Sequence, residues 1–333
     1  MRRRDFFGVL GGAAAAWPSV AGAQQLKAAQ QRKDMRRIAV LTGAAGSVSD
    51  ARVLVQALGE LGWLEARNVR FEIRHGGGNA EMLRQHAAEL VALAPDVIVA
   101  NGGTATEHLL RATRTVPIVF AFVPDPVGSG FVDSLSRPGG NATGFTQFEY
   151  GISAKWVELL KEISPNVTRI AVLRDSTGVA GVGQFAVIQA AAQLQGMEVR
   201  PINVRDPAEI QRDIADFAGA AGGRSGMIQV SSTNALVHRD LIVKLAAAHK
   251  LPTVYAQREF VAAGGLISYG TNITALLHSA AGYVDRILKG AKPADLPVQA
   301  PTKFELVVNT RTALALGLEF PATVLARAED ATQ

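Results

Sequence analysis

A short segment that recurs at a nearly constant interval limits the fold of this chain more than any other feature. Arg37–Leu41 is repeated letter for letter as Arg169–Leu173, 132 residues later. Two further pairs of similar segments lie 130 and 135 residues apart: Val97–Val99 with Met227–Gln229, and Pro117–Val119 with Pro252–Val254. A single identity among Val- and Ile-rich segments can be chance, but three similar intervals indicate two copies of one domain.

Each copy alternates short β-branched runs with segments of helix length. The predicted strands are Arg37–Leu41, Val69–Ile73, Asp96–Ala100, Pro117–Phe122, Arg169–Leu173, Glu198–Val204, Gly226–Val230 and Pro252–Tyr255. Strands separated by helices form parallel sheets with right-handed crossovers. The sequence therefore predicts an α/β protein with two similar Rossmann-like β/α lobes, and a ligand cleft between the lobes at the carboxyl ends of the strands.

Length and composition agree with two globular domains and exclude several kinds of partner and site. The chain has 333 residues, of which 48% are hydrophobic and 19% charged. Its 34 basic and 29 acidic residues give a net charge of +5, which is too balanced for a nucleic-acid-binding surface. The absence of cysteine excludes disulfides, a thiol nucleophile and thiolate metal sites.

The amino terminus has the three parts of an export signal. Basic residues Arg2–Arg4 precede an apolar run, Phe6–Trp17, and small residues end the segment at Ala21–Ala23. We expect cleavage near Ala23 and a soluble protein in the periplasm, with a retained membrane anchor as the alternative. Arg3–Phe7 fits the twin-arginine pattern, although arginine-rich signals also serve the general export route.

Loops after the predicted strands of the first lobe supply its candidate ligand-binding residues: Thr42, Ser47, Asn101, Gly103, Thr104, Asp125 and Pro126. The predicted helix starts near Gly103 and Thr104, and the backbone N–H groups there can bind a carboxylate. Thr104 can cap that helix. Two prolines fix the backbone around Asp125, which can then face an amino group. Ordinary capped turns remain the alternative at both places.

The equivalent loops of the second lobe supply the other candidates: Asp175, Ser232, Thr233, Asn234, Tyr255 and Tyr269. A phenol can line a pocket and still donate a hydrogen bond. A tyrosine at the end of a strand is also a common packing residue, so both interpretations stay open for Tyr255 and Tyr269.

No catalytic, metal or cofactor motif accompanies these loops. The six histidines are scattered without a His-x-x-x-His spacing, and the dinucleotide-binding, phosphate-loop and Gly-x-Ser-x-Gly patterns are missing. We therefore expect no enzyme activity, no metal and no cofactor. An α/β enzyme acting on a small molecule and a ligand-sensing regulator remain alternatives to a binding protein, but the regulator would need a helix-turn-helix ahead of the first strand.

Several motifs resemble those of one family, the ABC-transporter substrate-binding proteins of the tryptophan/tyrosine-binding-like type. They span the chain and are Arg2–Phe7, Leu10–Pro18, Val123–Gly128, Arg137–Gly144, Arg258–Leu266, Ile287–Gln299 and Pro301–Asn309. The resemblance implies a type I periplasmic-binding-protein fold that closes on a small molecule and delivers it to an ABC permease in the inner membrane. We expect a monomer. Aromatic amino acids are the best-known ligands of the type, but members often carry Asn-Pro where this chain has Arg174–Thr177.

The resemblance also implies where the chain crosses between the lobes: near Ala142–Gln147, Leu266–Gly270 and Phe304–Asn309. The expected organisation is a signal peptide at 1–23, a linker at 24–36, an N-terminal lobe of 37–145 plus roughly 270–300, a C-terminal lobe of 146–268, and a crossing strand with a C-terminal helix at 301–333.

Overall fold

The computed structural model describes residues 35–43, 48–220 and 224–332, which form twelve strands and twelve α-helices. The strands are β1 Arg36–Thr42, β2 Val69–His75, β3 Val97–Asn101, β4 Ile118–Val123, β5 Ala142–Thr146, β6 Arg169–Arg174, β7 Glu198–Asn203, β8 Ser225–Gln229, β9 Thr253–Tyr255, β10 Ile267–Thr271, β11 Phe304–Asn309 and β12 Asp330–Thr332. The helices are α1 Val48–Glu60, α2 Ala80–Ala92, α3 Gly103–Ala112, α4 Ile152–Ile163, α5 Val179–Leu194, α6 Pro207–Gly219, α7 Thr233–Val237, α8 Arg239–Ala248, α9 Arg258–Ala262, α10 Ile273–Leu288, α11 Thr310–Ala315 and α12 Ala322–Leu325.

Two sheets organise these elements. The first has the order β2-β1-β3-β4-β5, and every pair in it is parallel. The second has the order β12-β11-β10-β9-β8-β6-β7, and its antiparallel pair is β10 with β11. The eight predicted strands are all present, with ends that differ by one or two residues.

The duplicated segments take the same place in both sheets. In the first lobe the strand order runs β2-β1-β3-β4, and in the second the corresponding order runs β7-β6-β8-β9. The repeated pentapeptide lies in β1 and in β6, each of which is flanked by parallel strands on both sides. The predicted fold class, two similar β/α lobes, is therefore confirmed.

Apolar side chains cover both faces of the first sheet. Successive residues of a strand point to opposite faces, so Val40 packs toward α1 and α10 while Leu41 packs toward α2 and α3. All of these strand residues are buried, as expected where helices cover both sides of a parallel sheet.

The second sheet is built in the same way. Val172 of β6 joins a cluster with Trp156 and Leu160 of α4, and the neighbouring Leu173 joins another with Ile210 of α6 and Ile242 of α8. The indole N–H of Trp156 donates to the backbone carbonyl of Tyr269 at 2.7 Å, which fixes α4 against β10.

Within the described residues the chain passes between the lobes three times. After β5, the Gln147 N–H donates to Val123 of the first sheet, and its carbonyl accepts from the Thr271 hydroxyl of the second. After β10, Asn272 caps α10, whose apolar face packs on the first sheet. The chain then bridges β5 through a Thr146 N–H bond to the Gln299 carbonyl at 2.9 Å before it enters β11. The passages lie at the ends of the predicted crossing strands.

The structure corrects the expectation of a single C-terminal helix. After β11, residues 310–332 form two short helices, α11 and α12, and the edge strand β12, which pairs parallel to β11. Gly317 has a φ of +69° and ends the first of these helices after six residues. The other domain boundaries stay predictions, and the predicted signal peptide and most of the linker lie outside the described residues. In the described ranges, no helix is long and apolar enough to cross a membrane.

Candidate functional site

Polar side chains gather at the carboxyl ends of β1 and β2 in the first lobe. Thr42, the last residue of β1, is fully buried, and its hydroxyl lies 2.8 Å from Nδ1 of His75, the last residue of β2. These two strands are paired in register, so the sheet itself brings the two side chains together. The predicted residue Ser47 lies outside the described residues.

The loop after β3 joins a side-chain contact with a carboxylate to the start of a helix. Asn101 is 8% exposed, and its amide donates to the Asp50 carboxylate of α1 at 3.0 Å. Gly102 has a φ of +97° and is the N-cap of α3, so Gly103 and Thr104 contribute first-turn N–H groups that no capping side chain accepts. The prediction that Thr104 caps this helix is therefore wrong, because the helix already begins at Gly103.

The Asp125–Gly128 turn holds one carboxylate in place after β4. The Gly128 N–H donates to Oδ1 of Asp125 at 2.8 Å, and the N–H of Ser129 donates to the Asp125 carbonyl at 3.0 Å. Pro126 is buried and Asp125 is half-buried. The turn thus closes on the Asp125 carboxylate through Oδ1, while Oδ2 accepts no hydrogen bond from the described residues, and the role predicted for Asp125 toward an amino group stays a prediction.

Tyr150, at the passage from the first lobe into α4, was missed by the sequence analysis. Burial raises the pKa of its phenol, and the nearby charge of Asp125 raises that pKa further. A Cβ built on Gly183 of α5 would lie 2.3 Å from its ring, so the phenol lies between a first-lobe loop and a second-lobe helix. No sequence pattern distinguishes this tyrosine.

Asp175 is the best-satisfied carboxylate of the second lobe. Oδ1 accepts from the Thr177 N–H at 2.9 Å and the Thr177 hydroxyl at 2.7 Å, and Oδ2 accepts from the Asn234 amide at 2.7 Å. Burial opposes ionisation of Asp175, but these three hydrogen bonds and the charge of Arg205 outweigh it and lower its pKa. Two predicted residues, Asp175 and Asn234, are thus in direct contact.

The loop after β8 supplies the N-cap residue of α7. The Ser232 hydroxyl accepts the N–H of Ala235 at 3.2 Å and caps the helix, of which Thr233 is the first residue. The Ser231 N–H donates to the side-chain oxygen of Gln184 at 3.1 Å. Gln184 is fully buried on α5, and its Nε2 has no hydrogen-bond partner among the described residues.

Arg174, the last residue of β6, is half-buried at the same edge. Its guanidinium carbon lies 4.6 Å from the centre of the Phe185 ring, and its Nε is buried without an acceptor in the described part of the chain. The repeat aligns Arg174 with Thr42, both directly after the shared pentapeptide, but the residues that follow differ as well, so the sequence does not single out Arg174.

Tyr255 and Tyr269 point away from these loops. Tyr255 is 1% exposed, its ring stacks on Phe260 with centres 4.9 Å apart, and burial raises its pKa strongly. Tyr269 packs beside Phe304 and lines a pocket of about 300 Å³ that also includes Lys155 and Arg327. Tyr255 is therefore a core residue, a correction to its predicted place at the cleft, and Tyr269 belongs to a separate surface pocket.

Among the described residues no three His, Asp or Glu side chains are close enough together to hold a metal ion. The edge residues instead form two polar groups, one on each lobe, that consist of hydrogen-bond donors and acceptors. Such groups are suited to recognising a small polar molecule by direct contacts.

Comparison with known proteins gives a consistent picture. A family model described as ABC transporter substrate binding protein matches residues 38–332. The chain is 25% identical over 266 residues to the tyrosine-binding protein of Clostridioides difficile, covering 80% of this chain and 75% of that relative.

Two solved structures share the fold at a TM-score of 0.81. One is a conserved domain protein from Vibrio cholerae, 28% identical, which covers 90% of this chain and 100% of its own. The other is an ABC domain from Streptococcus pneumoniae in complex with L-Trp, 26% identical, which covers 89% of this chain and 99% of its own. The chain therefore belongs to the family of ABC transporter substrate-binding proteins.

Proposed function

We propose that this protein captures an aromatic amino acid between its two lobes, outside the cytoplasm, and delivers it to an ABC permease without chemical change. The observation that carries the proposal is the pair of polar groups at the carboxyl ends of the two sheets. Similarity to an ABC domain in complex with L-Trp and to a tyrosine-binding protein supports the ligand class.

The chemistry of the loops suits a zwitterion. An amino acid needs hydrogen-bond donors for its carboxylate and acceptors for its ammonium group. The carboxylates of Asp50 and Asp125 are acceptors in the first lobe, and Arg174 and Gln184 are donors in the second. The helix start at Gly103 offers further donors.

Apolar side chains beside these groups favour an aromatic substituent. Val127, next to the Asp125 turn, is 40% exposed, and Val182, next to the contact between Gly183 and Tyr150, is 50% exposed. An aromatic ring that covers such side chains gains from the burial of apolar surface on both partners.

Thermal unfolding of refolded, ligand-free protein tests the proposal. L-tryptophan, L-tyrosine or L-phenylalanine should raise the unfolding temperature by several degrees at concentrations about 100 times the dissociation constant, because a ligand stabilises the folded state by mass action. L-alanine, which lacks the aromatic ring, and D-glucose, which lacks the amino and carboxylate groups, are the controls. Stabilisation by the sugar without any effect of the three aromatic amino acids would refute the proposal.

A further inference from the structure

Two buried donors in the second lobe have no acceptor in the described part of the chain, and both lie where strands of that sheet end. They are Nε of Arg174, at the end of β6, and Nε2 of Gln184, whose oxygen contacts the loop after β8. We propose that these two groups bind the carboxylate of the ligand, so that the substrate must be a carboxylic acid. This inference rests on the proposed function and extends it by fixing the direction in which the ligand lies.

Arg174 is held in position without using its hydrogen-bonding capacity. The guanidinium carbon lies over the Phe185 ring, 4.6 Å from the ring centre, and this contact leaves the N–H donors of the group available for an acceptor. No ion pair or side-chain hydrogen bond of Arg174 is found among the described residues. A buried N–H group without an acceptor, such as Nε of Arg174, costs free energy, and an anion that supplies the acceptor removes that cost.

Gln184 presents its donor in a fixed orientation. Its side-chain oxygen accepts the Ser231 N–H at 3.1 Å, so the amide cannot be turned around without placing two donors against each other. The NH₂ group is therefore the free end of a fully buried side chain. It lies one position before Phe185 on α5, the residue that supports Arg174.

No acid among the described residues forms an ion pair with Arg174. Asp175 follows it directly in the sequence, yet both oxygens of that carboxylate are used by Thr177 and Asn234. The first lobe carries acceptors, the carboxylates of Asp50 and Asp125. The buried donors without an acceptor thus lie in the second lobe, whereas Oδ2 of Asp125 in the first lobe accepts no hydrogen bond from the described residues, so the carboxylate of a zwitterion is directed to the second lobe and its ammonium group to the first.

The competing arrangement places the ligand carboxylate on the first-turn N–H groups of α3, near Gly103 and Thr104. Those amides lack a capping side chain, but they are backbone groups at an exposed helix start, where water can satisfy them. Nε of Arg174 and Nε2 of Gln184 are buried from solvent. Desolvation therefore favours the second-lobe site.

Calorimetric titration of three matched probes tests the inference. L-tryptophan has both charged groups, indole-3-propionate lacks the ammonium group, and tryptamine lacks the carboxylate. Arg174→Gln should weaken binding of the first two at least about tenfold, the scale of a lost charged hydrogen bond, and should leave tryptamine binding unchanged. Arg174→Lys, which keeps the charge but loses the planar fork, should give a smaller loss. Gln184→Leu should also weaken the two acids selectively.

Arg205→Gln is the control, because it removes the same charge from an exposed position near Asp175. It should leave all three affinities unchanged. Wild-type affinity for L-tryptophan in Arg174→Gln, or an equal loss in Arg205→Gln, would overturn the inference and leave the proposed function intact. Should Arg174→Gln fail to fold, Arg174→Lys and Gln184→Leu decide the question by the same selectivity. Absence of binding of any aromatic amino acid to the wild-type protein would overturn the proposed function and this inference with it.

Discussion

At the scale of single residues, the site combines side chains that are already satisfied with others that are not. Asp175 belongs to the first kind, since Thr177 and Asn234 supply three hydrogen bonds to its carboxylate. Arg174, its neighbour, belongs to the second. A residue of the first kind contributes to the free energy of unfolding, whereas a residue of the second kind is the kind for which we propose a role in ligand binding.

Asp175→Asn should lower the free energy of unfolding by about 1 kcal/mol at pH 7. The pKa of Asp175 is lower in the folded protein than in the unfolded chain, so its stabilising contribution is complete above the unfolded value of about 4 and is lost as the pH falls through the folded one. Urea denaturation at pH 7 and pH 3 should therefore show a difference between wild type and variant that shrinks in acid.

Asp240→Asn is the matched control, because the Asp240 side chain is 82% exposed and should have little effect at either pH. A difference for Asp175→Asn that is the same at both pH values would contradict the assignment of the hydrogen bonds to the charged carboxylate.

At the scale of elements, β4 and β5 approach each other unusually closely. Gly144 in β5 has a φ of +153°, and a Cβ at this position would lie 1.9 Å from the Phe120 carbonyl oxygen. The pairing register shifts between Phe120 and Val123, and Phe122 between them has a φ of +59°. Glycine is thus required at position 144, where β5 pairs with β4, the strand that leads into the Asp125–Gly128 turn.

Gly144→Ala should destabilise the protein by more than about 3 kcal/mol, because neither backbone can move without breaking strand pairing. Gly140→Ala, just before β5 and with no atom within 4 Å of the added carbon, should change stability by less than about 0.5 kcal/mol. Equal urea midpoints for the two variants would show that β4 and β5 can separate at little cost.

The strands could be predicted from the sequence, but the face of the sheet that each strand residue occupies could not. Short Val- and Ile-rich runs identified every strand of the repeat, since a buried parallel strand reads as a continuous apolar segment. The same continuity hides which face a residue occupies, and this is why Tyr255 was expected at the cleft although it packs in the core. Arg174 and Gln184 were missed because their importance depends on partners that they lack.

At the scale of the whole molecule, the passages between the lobes are narrow and share hydrogen bonds. The Asn272 amide donates to the Glu305 carboxylate at 3.3 Å, and the Thr271 hydroxyl donates to the Gln147 carbonyl. The three passages thus meet at one place, and we expect the two separate cores to rotate about it.

Binding of L-tryptophan should bring the lobes together and lower the radius of gyration in solution scattering. The physical reason is that polar groups on both lobes reach one small ligand only when the lobes approach. D-glucose at the same concentration corrects for changes in solvent contrast. An unchanged radius of gyration with one ligand bound per chain would exclude closure by rotation about the passages.

The crossing of α10 also has a consequence for synthesis. This helix completes the core of the first lobe, yet it follows every strand of the second lobe from β6 to β10 in the chain. A ribosome that has finished the first five strands has therefore made a sheet on which α1 alone covers the face that α10 will complete. Synthesis of the first lobe therefore starts early, but its core is completed only when Ile273–Leu288 has been made. Until then part of its apolar surface stays exposed and prone to aggregation.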